Sequence, residues 1–117
     1  MSHAVIHCVI DIFAKPQSAE RVRTSLLTIL EPTRKEDGCL KYKLFENITD
    51  HCQFTLIGAW ENEDAFDDHL QSDHYRKVDK DIKDEVTKTT DVKRYKYIQS
   101  DPSKMADTKS SGFCILI

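Results

Sequence analysis

The last four residues of the sequence, Cys114-Ile115-Leu116-Ile117, could undergo covalent chemistry. A cysteine, two aliphatic residues and a terminal residue form the C-a-a-X pattern, in which a eukaryotic prenyltransferase alkylates the cysteine thiolate with an isoprenoid. The bulky Ile117 is more similar to Leu than to Ser or Met, which favours geranylgeranyl over farnesyl. A chance ending and a buried last strand over residues 113–117 remain open as alternatives. We expect lipidation of Cys114, and a location at the cytosolic face of eukaryotic membranes.

The segment from residue 99 to 113 is rich in polar and small residues, which is typical of a flexible tether. Its charges cancel, and it has neither a second cysteine nor a polybasic run, so a single lipid would bind a membrane weakly and reversibly. Two lipids on one dimer would bind more tightly, because the second insertion is intramolecular. We therefore expect exchange between membrane and cytosol, with a prenyl-binding carrier protein as a partner.

The composition is that of a single globular domain with a tail. The chain has 117 residues, with 17 Lys and Arg against 20 Asp and Glu, and the net charge of −3 gives no reason to expect a nucleic acid partner. Its four cysteines are widely spaced without a C-x-x-C pair, which argues against a zinc site and a disulfide scaffold. No apolar run approaches the roughly 20 residues that span a bilayer, and the first residues lack the pattern of a secretion signal.

The first part of the sequence predicts a strand followed by a helix. Residues 5–14 alternate between two faces, the period of a strand, and both faces are largely apolar. Ser18 is the expected N-cap of a helix whose core-facing stripe consists of Val22, Leu26, Ile29 and Leu30. Pro32 is expected to kink or interrupt this helix, and Gly38 either ends it or forms the turn into the next strand.

The rest of the sequence predicts a hairpin, two short helices and a last strand. These are strands over 39–46 and 52–60 with the loop 47–51, a helix capped by Asn62, a helix capped by Ser72 with Tyr75, Val78, Ile82 and Val86 on its inner face, and a strand over 91–98. The order β-α-β-β-α-β is that of the ferredoxin-like α+β fold, in one domain over residues 1–98. Because helices cover one face of such a sheet, its apolar second face predicts a symmetric homodimer.

Three stretches of the sequence together form a pattern that is shared with a known family. They are Glu36-Asp37-Gly38-Cys39-Leu40-Lys41-Tyr42, then Trp60-Glu61-Asn62-Glu63-Asp64-Ala65-Phe66-Asp67-Asp68-His69, and then Ser72-Asp73-His74-Tyr75. Over roughly residues 5–98 the chain resembles the antibiotic biosynthesis monooxygenase (ABM) domain family, nearest the branch of the autoinducer-2-degrading isomerase and the quinol monooxygenases. The resemblance implies a dimeric α+β barrel with a pocket in each subunit, which acts on small aromatic or enolisable substrates without a metal or a bound flavin.

The pocket residues of the family match Tyr42, Trp60, His69 and His74 of this sequence. The resemblance implies catalytic roles for the two histidines and Trp60, and a substrate-binding role for Tyr42. Imidazoles can move protons near neutral pH, and the two aromatic rings can form a flat apolar wall. Each residue also has a structural alternative, the rings as core, His69 as a hydrogen-bonded buried histidine and His74 as a helix-start residue. No cofactor and no metal are expected.

Two departures from the family pattern limit what the resemblance implies. Position 58 is Gly where the family usually has an acidic residue, so any role of that carboxylate in holding the pocket is missing. Two features argue against the haem-degrading branch: His69 stands where that branch expects a second Trp, and residues 76–80 contain no histidine. We therefore expect a cofactor-independent monooxygenase or isomerase, with an inactive prenylated binding module as the alternative.

The domain and the C-a-a-X pattern come from different kinds of organism. ABM-like domains are chiefly bacterial, whereas bacteria have no C-a-a-X prenyltransferases. We expect a bacterial effector that a host prenyltransferase lipidates, with a eukaryotic protein that acquired the domain as the alternative.

Overall fold

The computed structural model describes residues 4–99. Its elements are strand β1 (Ile6–Phe13), a short 3₁₀ turn (Pro16–Ser18), helix α1 (Ala19–Arg34), strands β2 (Cys39–Asn47) and β3 (Asp50–Trp60), helices α2 (Glu63–Leu70) and α3 (Asp73–Ile82), and strand β4 (Asp91–Tyr95). The predicted β-α-β-β-α-β order is confirmed, with the second helical layer in two pieces. The tether from residue 100 onward and Cys114 lie outside the described residues.

The four strands form one antiparallel sheet in the order β2-β3-β1-β4, which is the ferredoxin-like arrangement. In β1 the residues alternate, so that Ile6, Cys8, Ile10 and Ile12 are buried under the helices and the residues between them are half-buried. The second face of the sheet carries no helix within residues 4–99, and Phe45 and Tyr95 on it are 47% and 49% exposed. The apolar second face that the sequence predicts is therefore present.

The core lies between the sheet and the three helices. Each helix contributes an apolar stripe, with Val22, Leu26 and Ile29 from α1, Phe66 from α2, and Val78 and Ile82 from α3. Burying one such side chain stabilises the fold by about 1.5–3 kcal/mol relative to leaving it exposed. This layer positions the end of α2 and the start of α3 over the sheet.

Helix α1 differs from the prediction at its C-terminal end. Pro32 does not interrupt it, because the helix continues to Arg34. The proline stands in the last turn, where its missing N–H costs one hydrogen bond of the helix and few residues follow that it could disturb. Gly38 forms the turn into β2 with φ of +86°, and a Cβ there would lie 2.7 Å from Ala65 Cβ. A residue with a side chain at position 38 would therefore be strained and crowded.

The hairpin between β2 and β3 is tighter than predicted. Its strands extend to Asn47 and from Asp50, which leaves a two-residue connection instead of the predicted loop 47–51. Asn47 Oδ1 accepts hydrogen bonds from Thr49 N and Thr49 Oγ1, both at 2.9 Å. A local side-chain cap of this kind replaces the backbone bonds of a longer loop.

Two predictions near the end of the domain are wrong in detail. Val86 does not belong to α3, which ends at Ile82, and instead forms an isolated bridge with Ala14. Strand β4 ends at Tyr95 rather than at Ile98. The pair His7–Tyr95 is the last in the register between β1 and β4. Within residues 4–99, no helix is both long and apolar enough to cross a bilayer.

Candidate active site

The four side chains that the resemblance implies lie together at one end of the core. The ring centroid of His69 lies 4.7 Å from that of Trp60, 5.3 Å from that of Tyr42 and 6.0 Å from that of His74. Tyr42 and Trp60 also pack edge to face, with centroids 5.6 Å apart. The structure thus brings these residues into one cluster, while their roles stay predictions.

The break between α2 and α3 places the two histidines next to each other. Asn62 starts α2, because its Oδ1 accepts a hydrogen bond from Ala65 N at 2.9 Å. Ser72 caps α3 by accepting from Tyr75 N at 3.2 Å, and its hydroxyl donates to the carbonyl of His69 at 2.6 Å. The same serine therefore ends one helix and begins the next, with His69 on one side of the break and His74 on the other.

Glu36 links the cluster, although the sequence pattern did not identify it as a site residue. Its Oε2 lies 2.7 Å from His69 Nδ1 and 2.5 Å from His74 Nε2, and its Oε1 accepts a hydrogen bond from Trp60 Nε1 at 3.2 Å. Glu36 stands in the connection between α1 and β2, just before the turn at Gly38. Its place at the start of the first family-like stretch was the one indication in the sequence that Glu36 belongs to the site. A loop residue has no periodicity that would show where its side chain points.

Gly58 allows the two aromatic rings to close over the sheet. A Cβ at this position would lie 2.7 Å from Tyr42 Cδ1 and 2.7 Å from Trp60 Cζ3. No side chain fits between these buried rings and the strand without movement. The carboxylate that the family usually has at position 58 is therefore missing here. Glu36, in the connection between α1 and β2, brings a carboxylate to the same cluster instead.

Burial favours the neutral form of His69 inside the cluster. Its side chain is fully buried, and this burial lowers its pKa below the usual value, while the hydrogen bond and the charge of Glu36 oppose the shift. A neutral imidazole that donates from Nδ1 to Glu36 leaves Nε2 as a lone-pair acceptor; this tautomer follows from the hydrogen-bond network. Nε2 has no hydrogen-bond partner among the described residues, and neither has the buried Tyr42 Oη.

Burial keeps the phenols of Tyr42 and Tyr75 and the thiol of Cys8 uncharged. Burial raises the pKa of Tyr42 well above its usual value and that of Tyr75 to about 12, so both phenols stay protonated near pH 7. Burial also raises the pKa of Cys8 to about 11, which keeps its thiol uncharged. His51 lies away from the cluster, exposed near the start of β3 in the hairpin.

Glu36, His69 and His74 also have the donor types that could hold a metal ion. Their ligand atoms lie within 4.8 Å of one another, and two imidazoles with a carboxylate suit a first-row divalent ion. However, Glu36 Oε2 lies at hydrogen-bonding distance from both ring nitrogens, which requires a proton on each of them. A metal at roughly 2.0–2.2 Å from each donor would have to displace both protons. The geometry is that of a hydrogen-bonded cluster.

A small apolar cleft lies on the far side of Tyr75 from the cluster. It lies between the sheet and helices α1 and α3, and Ile10, Leu26, Ile29, Leu56 and Val78 are among its walls. Tyr75 also lines this cleft, and its ring packs edge to face against His69 with centroids 5.1 Å apart. The cleft has room for about one water molecule, and the Tyr75 ring separates it from His69.

An antiparallel sheet in this order, with helices on one face, defines a ferredoxin-like α+β protein, here with a histidine-carboxylate cluster in the helical layer. The sequence model of the antibiotic biosynthesis monooxygenase family matches residues 5–81. The chain therefore belongs to the ABM family.

Sequence relatives come from several bacteria. The chain is 29% identical over 90 residues to the uncharacterised protein sll1783 of Synechocystis, which covers 77% of this chain and 61% of that protein. It is 34% identical over 61 residues to "Putative monooxygenase Rv0793" of Mycobacterium tuberculosis, which covers 52% of this chain and 59% of that protein. The chain thus spans about 60% of the length of these two curated relatives.

Solved structures show the same fold. The structure of Rv0793 from Mycobacterium tuberculosis matches with a TM-score of 0.78 at 23% identity, covering 83% of this chain and 98% of that one. The structure named "Putative antibiotic biosynthesis monooxygenase from Nitrosomonas europaea" also matches, with a TM-score of 0.78 at 14% identity. The match covers 84% of this chain and 94% of that one. At these identities the likeness establishes the fold.

Proposed function

We propose that this ABM-family protein is a cofactor-independent monooxygenase or isomerase in which His69 is the general base. The observation that carries the proposal is the buried Nε2 of His69, which has no partner among the described residues while Nδ1 is bonded to Glu36. An imidazole held in this way offers a lone pair to a molecule that enters beside it. Tyr42 Oη, also without a partner, is placed to bind a polar atom of the same molecule.

The reaction begins when Nε2 of His69 removes a proton from the substrate. A phenolic or enolic substrate transfers its acidic proton to His69, and the Glu36 carboxylate at Nδ1 stabilises the imidazolium that forms. The electron-rich substrate anion then reacts with O2, which is the oxidant. For a quinol, one quinol and one O2 give one hydroxyquinone and one water, and the quinol supplies the electrons. In an isomerase, His69 would instead take a proton from one carbon atom of the substrate and return it to another.

The aromatic side chains around His69 favour a small, lipophilic, aromatic substrate. His69 is surrounded by the rings of Tyr42, Trp60, Phe66 and Tyr75, with centroids between 4.7 and 6.1 Å from its own. Such a site favours a flat apolar molecule with few polar groups. We therefore place the protein nearest the quinol monooxygenase and autoinducer-2 isomerase branch. The relatives Rv0793 and YcnE of Bacillus subtilis, the latter 26% identical over 65 residues, carry "monooxygenase" in their names.

Turnover of a panel of quinols and phenols tests this function, with oxygen consumption and product mass as the readouts. The wild type should consume one O2 per quinol, and His69→Ala should lose about 100-fold or more in kcat/KM, the usual contribution of a general base. His51→Ala, in the exposed hairpin, is the matched control and should keep the wild-type rate. A full rate in His69→Ala, or no turnover of any panel member by the folded wild type, contradicts the proposal.

A binding module without catalysis is the second candidate, and the closure of the site favours it. Trp60 and His69 are fully buried and Tyr42 is 1% exposed, so protein side chains fill the space at the base. An enzyme must open this space, for example by movement of Tyr75, whereas a module need not. The two candidates differ in one measurement, because a module shows no turnover in the wild type and no change in His69→Ala.

The proposed assembly is a homodimer that packs through the open face of the sheet. Phe45 and Tyr95 are about half exposed on this face, and Val9 and Ile57 are half-buried there in the single chain. Covering these side chains with a second copy would remove apolar area from water. Sedimentation of the wild type should give twice the chain mass, and Val9→Lys should shift it to the monomer.

The proposed location depends on residues outside the described range. Where Ile117 is the terminal residue of the protein, a host prenyltransferase would lipidate Cys114, and a dimer would carry two lipids to the cytosolic face of a membrane. This is the behaviour of a bacterial effector that is modified in a eukaryotic cell. Eukaryotic cells fed a labelled isoprenoid should label the wild type and not Cys114→Ser. Equal label on both proteins, or none on the wild type, excludes the lipid anchor.

A further inference from the structure

The two histidines of the cluster share a single carboxylate oxygen. His69 Nδ1 and His74 Nε2 lie 2.7 and 2.5 Å from the same Oε2 of Glu36, while Oε1 is occupied by the indole N–H of Trp60. The same negative charge on Glu36 therefore stabilises the positive form of either imidazole. A change in the charge of one ring must alter how well the carboxylate stabilises the other ring.

The members of the cluster differ in their access to solvent. The His69 side chain is fully buried, whereas Glu36 is 15% and His74 24% exposed. Water can therefore exchange protons with His74 directly. It cannot do so with His69, because that side chain is buried. His74 is the most accessible of the three groups, and it lies next to the break between α2 and α3 rather than against the aromatic walls of the site.

We propose that His74 is a positioning residue, which controls through the shared oxygen of Glu36 how readily His69 takes up a proton. With His74 uncharged, the full charge of Glu36 is available to stabilise protonated His69. With His74 charged, that negative charge is already compensated, and a second positive ring 6.0 Å away opposes protonation of His69. This role differs from the catalytic role that the resemblance implies for His74. It rests on the proposed function only where turnover is concerned.

The surroundings of His69 isolate this coupling from other charges. The ionisable groups that contact its ring are Glu36 before β2, Tyr42 on β2, and His74 and Tyr75 on α3, and both phenols stay neutral. On α2 and β3 its neighbours are the rings of Phe66 and Trp60. Arg94 of β4 lies beyond Phe66 and pairs with Glu63 and Asp67 at 3.6 and 3.0 Å. Among these groups, Glu36 and His74 carry the charges that act directly on His69.

Imidazole ¹⁵N NMR of the full-length protein tests the coupling without any substrate. His74→Gln retains an N–H donor in place of Nε2 and removes the charge. The midpoint of the His69 titration should rise by about 0.5–1 pH unit in this variant, a three- to tenfold change in its ionisation constant, because two charges about 6 Å apart in a medium of high effective dielectric interact by that amount. Glu36→Gln should lower the midpoint instead. His51→Gln should leave it unchanged, and a ¹H–¹⁵N spectrum checks that each variant is folded.

Three results would overturn the proposal. The first is a His69 midpoint in folded His74→Gln that equals the wild-type value or falls below it. The second is a His69 signal that changes when the purified protein is treated with a chelator, because the cluster would then hold a metal ion. The third applies where the wild type has turnover: loss of kcat at every pH in His74→Gln would make His74 catalytic, whereas a positioning role shifts the pH profile and retains the maximal rate. A protein without turnover still gives the NMR result, so failure of the proposed function can be distinguished from failure of the coupling between His74 and His69.

Discussion

Replacing Glu36 with Gln should destabilise the fold by about 2–4 kcal/mol. The carboxylate accepts hydrogen bonds from three ring N–H groups, those of His69, His74 and Trp60, and hydrogen bonds to a charged group contribute about 1.5–3 kcal/mol each. The amide retains one acceptor oxygen, so one bond is lost and replaced by a contact between two donors, while the others become bonds to a neutral group. The partial exposure of Glu36, 15%, reduces the loss because water can reach the amide.

Urea denaturation at pH 7.5, followed by circular dichroism, measures this loss directly. Glu31→Gln is the matched control, since Glu31 is 75% exposed and lies 4.0 Å from Lys35 on the surface of α1. An exposed pair of this kind contributes about 0–1 kcal/mol, so the control should be nearly as stable as the wild type. If Glu36→Gln differs from the control by less than about 1 kcal/mol, Glu36 does not hold the cluster together and the reasoning is wrong.

Three further predictions concern the surroundings of the cluster. Gly58→Ala should lose about 1–3 kcal/mol in the same assay, because its Cβ would press on the rings of Tyr42 and Trp60, and unchanged stability would show that these rings can move. Because burial lowers the pKa of His69 in the folded state, its contribution to stability is present above about pH 6.5 and is lost as the pH falls, by up to about 1.4 kcal/mol per pH unit. Melting temperatures between pH 5 and 8 should therefore fall less steeply in His69→Gln than in the wild type, and parallel curves would contradict this. Ser72→Ala should cost about 1 kcal/mol through loss of the α3 cap, measured by thermal melting with Thr24→Ala, at an exposed position of α1, as the control.

The strands could be predicted from the sequence because their side chains alternate. The prediction for β1 was one residue too long at each end, and β3 was short by two residues at its start. The errors lie where a partner or a local cap decides the outcome. Asn47 shortens the hairpin through its own side chain, and the pairing of β4 with β1 ends at Tyr95 opposite His7. Pattern alone does not contain these contacts.

The cluster could be predicted only in part. Tyr42, Trp60, His69 and His74 come together, as the family-like stretches implied, because those stretches lie at the start of β2, at the end of β3 with α2, and at the start of α3. Glu36 was missed as a site residue, since its direction depends on the turn at Gly38, whose positive φ is a property of the folded backbone. The tight packing of rings over Gly58 is likewise visible only in three dimensions.

The single tryptophan of the chain gives the protein a built-in optical reporter. Trp60 stacks on His69 and donates its indole N–H to Glu36, so its emission depends on the charge of the histidine and on the water that reaches the carboxylate. A protonated imidazole in contact with an indole quenches its fluorescence, whereas a neutral one does so weakly. The intrinsic emission of the unlabelled protein can thus follow proton uptake, opening of the site and arrival of a ligand in real time.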